Sequence, residues 1–80
     1  VGGTMKEFLE FVAKHLVDHP DQISIESEEK DGKLIFKLRV AEGDVGKVIG
    51  RGGKTASAVR VLLRAVAAKE GKRVVLDIIG

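Results

Sequence analysis

The segment Gly50-Arg51-Gly52-Gly53 constrains this chain more than any other. A glycine inside a helix costs about 1 kcal/mol relative to alanine, so three within four positions end any helix arriving from either side. Both flanks have helical character. Asp44 is an N-cap candidate for a very short helix containing Val45, Val48 and Ile49. Beyond the glycines, a long segment from Lys54 to about Lys69 is rich in Ala, Leu and Arg, and Gly71 stands where a helix C-cap is expected. The spacing predicts two helices meeting at a glycine corner, with Gly46 adding freedom one turn earlier.

Upstream, Met5, Phe8, Leu9, Val12 and Leu16 recur at the spacing of one helical stripe, and Asp18-His19-Pro20-Asp21 halts it. Thr4 and Glu7 have capping-box spacing for this helix. Ile23 and Ile25 alternate with polar residues, as do Leu34, Phe36, Leu38 and Val40, and Asp31-Gly32 joins the two runs as a hairpin turn. Val74, Leu76 and Ile78 alternate with Val75, Asp77 and Ile79 in a last strand that is apolar on both faces and therefore expected to be well covered. The order is α-β-β-α-α-β. Strand, two helices and strand make a right-handed crossover with parallel strands, whereas the hairpin is antiparallel. The expected fold class is α+β, a three-stranded mixed sheet with three helices packed on one face.

Eighty residues suffice for one core, burying ~60% of the unfolded surface. With 44% hydrophobic and 32% charged residues the chain is unlike a disordered one. It has no cysteine, which excludes disulfides and cysteine-based zinc sites and fits a reducing compartment. No apolar run approaches the ~20 residues that cross a bilayer, and nothing resembles a signal peptide, so a cytoplasmic protein is expected. Val1 to Thr4 read as a cloning remnant or disordered lead-in, ahead of a single domain spanning 5–80. Charge is segregated: residues 1–44 carry six Lys/Arg and ten Asp/Glu, net −4, while 45–80 carry eight and two, net +6. The basic half contains the glycine turn, the usual electrostatic arrangement for phosphate binding.

Two phosphate-binding loops fail at single positions. Gly53-Lys54-Thr55 resembles the end of a Walker A loop, but the first glycine would fall at Val48, and a helix rather than a strand leads in. A dinucleotide fingerprint needs a glycine where Thr55 stands. What remains is Val48-Ile49-Gly50-Arg51-Gly52-Gly53, which resembles the V-I-G-x-x-G signature of the K-homology (KH) domain. In combination with the α-β-β-α-α-β order, the resemblance is to the bacterial type II KH fold, closest to small stand-alone proteins of the KhpA kind, and covers the chain from about Met5 to Gly80.

That resemblance implies single-stranded RNA binding, with Gly50, Arg51, Gly52 and Gly53 clamping the backbone of about four nucleotides against an apolar groove. Arg51 suits bidentate phosphate contact, Lys47 and Lys54 would add salt-sensitive attraction, and Val45, Val48 and Ile49 would contribute to the groove floor. Phe8, Phe11 and Phe36 are the only aromatics and fall in stripes expected to be core, so stacking on exposed rings is not anticipated and binding should be weak.

The long helix carries Val59, Val61, Leu62, Leu63 and Val66, more than one face can bury. Together with the family's habit of pairing, this implies a homodimer or a heterodimer with another KH protein. His15 and His19 are far from the glycine turn and complete no catalytic or metal-binding set, so neither enzymatic activity nor a cofactor is expected. Glu26, Glu28, Glu29 and Asp31 read as a solvated face of the hairpin and its turn. The competing readings are a protein-interaction module with a merely structural turn, and a single-stranded DNA binder.

Overall fold

The computed structural model describes residues 2–80, with side chains described from Met5 onward. Its elements are α1 (Gly2–Leu16), β1 (Ser24–Lys30), β2 (Lys33–Arg39), α2 (Val45–Ile49), α3 (Lys54–Lys69) and β3 (Arg73–Ile79), with single 3-10 turns at Pro20–Gln22, Glu42–Asp44 and Arg51–Gly53. The order is the one the periodicities predict. Helix α1 already includes Gly2, so Thr4 is a helical residue and not the N-cap. Val1, part of the expected lead-in, lies outside the described residues.

The local chemistry explains the boundaries. Asp31 and Gly32 both take positive φ, 52° and 73°, the backbone that lets a two-residue turn follow the twist of its strands, and Lys30 pairs with Lys33 across it. At the end of α3, Gly71 has φ 70°; its N–H donates to the Ala68 carbonyl at 3.1 Å and the Lys72 N–H to the Ala67 carbonyl at 3.0 Å. These two bonds satisfy carbonyls that the last helical turn leaves open.

The sheet order is β1-β2-β3, antiparallel between the first pair and parallel between the second, with Ser27, Phe36 and Leu76 in register across it. Leu34, Phe36, Leu38 and Leu76 turn to one face and meet Met5, Leu9 and Ala13 of α1 and Val59, Leu63 and Ala67 of α3 in a single core. Each fully buried large aliphatic contributes about 1.5–3 kcal/mol, and this stripe-on-sheet burial holds the helix layer to the sheet.

Two expectations about burial and one about backbone are corrected. The last strand is not covered on both faces: only Leu76 is buried, and Val75 is 37% exposed, because helices pack on one face of the sheet only. Phe11 is not core but 61% exposed; it lies between the buried positions Leu9 and Ala13 in sequence, so the helical rotation carries it outward against the His15 ring at a centroid distance of 4.4 Å. Gly46 needs no glycine-only backbone, since it sits inside α2 and is absent from the positive-φ glycines.

Candidate nucleic-acid interface

The glycine corner is built from three positive-φ residues in succession around Arg51. Gly50 caps α2 at φ 79°, ψ 173°, Gly52 is left-handed at φ 64°, ψ 20°, and Gly53 enters α3 at φ 78°, ψ 9°. The Gly50 N–H donates to the Gly46 carbonyl at 2.9 Å and the Gly53 N–H to the Gly50 carbonyl at 3.1 Å, so the turn is tied to itself. Gly50 also has no room for a side chain: a Cβ there would stand 2.3 Å from Thr55 Oγ1 and 2.9 Å from the Thr55 backbone nitrogen. By contrast, a Cβ at Gly52 or Gly53 would meet nothing within 4 Å. Those two glycines serve the backbone conformation, and their open surroundings leave the turn accessible.

Arg51, Gly52 and Lys54 are exposed, Gly53 and Ile49 half-buried. No side chain caps the first turn of α3, which begins at Lys54 with Gly53 as N-cap. An uncapped helix start beside two exposed cations is an electropositive surface suited to an anion.

Two residues expected at this surface are engaged elsewhere. Val48 is 4% exposed and belongs to the core, where it anchors α2, which leaves little of its side chain to face a groove. Lys47 is not a free cation: its ammonium donates a hydrogen bond to Asp18 and stands 3.6 Å from Asp44 Oδ1. The Asp18 hydrogen bond raises the Lys47 pKa above the ordinary lysine value. Asp44 precedes α2 as expected but its side chain makes no cap bond. It is fully buried, and its Oδ2 accepts the His19 backbone N–H at 3.0 Å with the His19 ring Nδ1 at 3.2 Å. Burial pushes the carboxyl upward, but the backbone amides of Asp18 and His19, aided by the His19 ring, outweigh it and hold the pKa below the usual aspartate value.

Beside the turn lies a cleft of ≈ 450 Å³ lined by Ile49, Gly53, Ala56, Arg60, Asp77, Ile78 and Ile79. The sequence pointed only to the first two of these; Ala56 and Arg60 come from α3, and the opposite wall comes from β3, more than twenty residues downstream. The edge of β3 can be read from its hydrogen bonds. Ile79 accepts from the Val40 N–H at 3.0 Å and Arg73 donates to the Gly32 carbonyl at 3.0 Å, so odd-numbered residues turn their backbone groups toward β2. Backbone groups alternate sides along a strand, which turns those of Leu76 and Ile78 toward the free edge. Arg60 Nη2 donates to the Leu76 carbonyl at 3.3 Å and bridges α3 to that edge. Ile78, further along, brings its N–H and carbonyl to the cleft wall.

A second hollow, ≈ 270 Å³, lies between α1 and α3, lined by Met5, Phe8, Leu62, Leu63, Ala65 and Val66. Next to it Leu62 is 52% and Val61 58% exposed, the surplus apolar surface the crowded sequence of α3 implies. Among the described residues no cluster of His, Cys, Asp or Glu has metal-binding geometry, and no helix is long and apolar enough to cross a membrane.

A mixed three-stranded sheet under three helices, with a G-x-x-G turn joining the second helix to the third, defines a type II KH domain. Residues 6–78 match the family described as KhpA/KhpB, KH domain. The RNA-binding protein KhpA of Clostridium acetobutylicum is 47% identical over 75 residues, 94% of this chain and 100% of that protein. Its counterparts in Borreliella burgdorferi, 46% identical over 96% of this chain and 94% of that protein, and Chlamydia muridarum, 42% identical over 92% and 95%, are similarly close. The chain belongs to the KhpA/KhpB family of KH-domain proteins.

Proposed function

We propose that this chain binds single-stranded RNA, with Gly50 to Gly53 holding the sugar-phosphate backbone of about four nucleotides and the adjoining cleft receiving their bases. The observation that carries the reading is the position of the cleft: it opens directly beside the accessible glycines and combines apolar walls, Ile49, Ala56, Ile78 and Ile79, with the free backbone edge of β3. Arg51 and Lys54 supply phosphate attraction. The Ile78 amide and carbonyl offer one donor and one acceptor side by side, which suits the Watson–Crick edge of a base. The relatives' names as RNA-binding proteins support the same conclusion.

Affinity is modest. Stacking on an aromatic side chain is worth about 1–3 kcal/mol per base, and no ring lines the cleft; the exposed ring of Phe11 belongs to α1. A weak clamp gains from doubling, and the exposed Val61, Leu62 and Val66 beside the α1–α3 hollow provide an apolar surface for pairing with a second copy or another KH protein. The resulting role is that of a cytoplasmic accessory to RNA rather than an enzyme.

Fluorescence anisotropy with short labelled RNAs tests the site. Replacing Arg51 and Gly52 together by Asp abolishes salt-sensitive binding; undiminished affinity would refute the assignment. A matched DNA strand reads any contact to the 2′-hydroxyl. Sedimentation over a concentration series tests pairing, and Leu62→Glu yields a monomer with an unchanged fold if the α3 surface is the interface.

A further inference from the structure

Helix α2 is five residues long, too short to hold its own shape, yet its last turn determines where Gly50 begins. Two anchors fix it. Val48 is the apolar one, and apolar burial is non-directional. The other is Asp44, the residue immediately before α2 and the only buried polar or charged side chain among the described residues.

A buried carboxylate is an expensive way to fill space, the more so here because Asp44 Oδ1 has no hydrogen-bond partner in the described structure and only the Lys47 ammonium nearby, at 3.6 Å. An apolar residue would serve packing better. What the carboxylate adds is direction. Its Oδ2 is held by the His19 N–H and approached by the His19 ring, both from the segment that leaves α1. Lys47, one turn into α2, then closes the cluster by bonding Asp18 of the same segment. One carboxylate thus joins the end of α1 to the start of α2 and sets the rotation of the helix that presents the glycine turn.

We infer that Asp44 is the positioning residue of the Gly50–Gly53 turn, and that Lys47 is committed to Asp18 and Asp44 as part of that brace instead of serving as a phosphate contact. The inference rests on the RNA-binding reading for its functional consequence, but its structural half stands apart from it.

The test uses the full chain and a short labelled single-stranded RNA, titrated over a salt series, with Asp44→Asn, His19→Ala, Lys47→Met and Arg51→Met compared at the folded fraction measured by circular dichroism. Each lost phosphate contact lowers the slope of log affinity against log salt by about one. Arg51→Met lowers it by that amount and Lys47→Met leaves it unchanged. Asp44→Asn weakens binding about tenfold at every salt concentration with the slope intact, the signature of lost geometry without a lost phosphate contact. His19→Ala, which removes a ring that is 57% exposed and keeps the core, weakens binding in the same manner and decides the matter if Asp44→Asn does not fold. Amide NMR spectra of the same two variants show displaced Gly50, Gly52 and Gly53 resonances. Wild-type affinity per folded molecule together with unmoved glycine resonances would overturn the positioning role, and a reduced slope in Lys47→Met would overturn its commitment to the brace. Were Arg51→Met without effect while the glycine resonances moved, the RNA site would be wrong and the brace right.

Discussion

Replacing Gly50 by alanine isolates the physical requirement at the centre of the site. The residue sits at φ 79°, ψ 173°, a region open essentially to glycine alone, and occupying it with an L side chain costs on the order of 1–3 kcal/mol. The added Cβ also meets Thr55, with Oγ1 at 2.3 Å, Cβ at 2.7 Å and the backbone nitrogen at 2.9 Å. Overpacking of that kind adds roughly 1–3 kcal/mol, so the total is about 2–6 kcal/mol. A domain of this size has roughly 4–12 kcal/mol in all, and each kcal/mol is about 4–8 °C in melting temperature, so the change is large on either scale. Gly52→Ala is the control: its backbone is left-handed but a Cβ meets nothing within 4 Å, leaving only the conformational cost of roughly 1–2 kcal/mol. Urea unfolding followed by circular dichroism measures both. Adding Thr55→Ala to Gly50→Ala recovers only part of the loss, because the Thr55 Cβ and backbone nitrogen remain in place. If Gly50→Ala destabilised no more than Gly52→Ala, the close approach of the turn to Thr55 would not be a real constraint and the reasoning would fail.

Adjacent residues on α3 should part sharply: Leu63, 1% exposed, costs about 2–5 kcal/mol on truncation to alanine, whereas Leu62, 52% exposed, costs the monomer about 0.5 kcal/mol or less, both read from urea midpoints. Gly71→Ala forces a side chain into the φ 70° that closes α3 and lowers stability by roughly 1–2 kcal/mol in the same assay, without altering RNA affinity per folded molecule. The lowered pKa of Asp44 means that folding favours its ionised form; that contribution is complete above the ordinary aspartate value of 3.8 and is lost as pH falls through the lower folded value. Asp44→Asn therefore flattens the acid limb of stability against pH, and a limb as steep as in the wild type would show that Asp44 is not among the groups responsible.

Elements whose signals are local were legible before any coordinates. The Asp31-Gly32 turn, the stop at Pro20, the cap at Gly71 and the crossing of helices at Gly50–Gly53 each depend on residues within a few positions of one another, so composition and spacing suffice. The fold class followed from their order, and the apolar crowding on α3 was visible as a count exceeding what one helical face can bury. Exposure was less tractable. Phe11 reads as core because a ring in an amphipathic helix usually is, and only the rotation set by Leu9 and Ala13 against the sheet places it outside. Val75, Asp77 and Ile79 read as a covered face because nothing in the strand itself says that helices pack on only one side of the sheet.

The remaining decisions were tertiary because they depend on groups far apart in the chain. Lys47 looks like any other cation near a phosphate site until Asp18, from the end of α1, is brought against it, and Asp44 looks like a simple helix cap until burial and the His19 amide give it a different task. The cleft needs Ile49 and Gly53 on one side and Ile78 and Ile79 on the other. Sequence by itself determined the backbone: which segments become helix or strand, and that two helices meet at a glycine corner. The tertiary structure decided which side chains are free to meet a ligand, because solvation and pairing are settled only when distant segments compete for the same buried space.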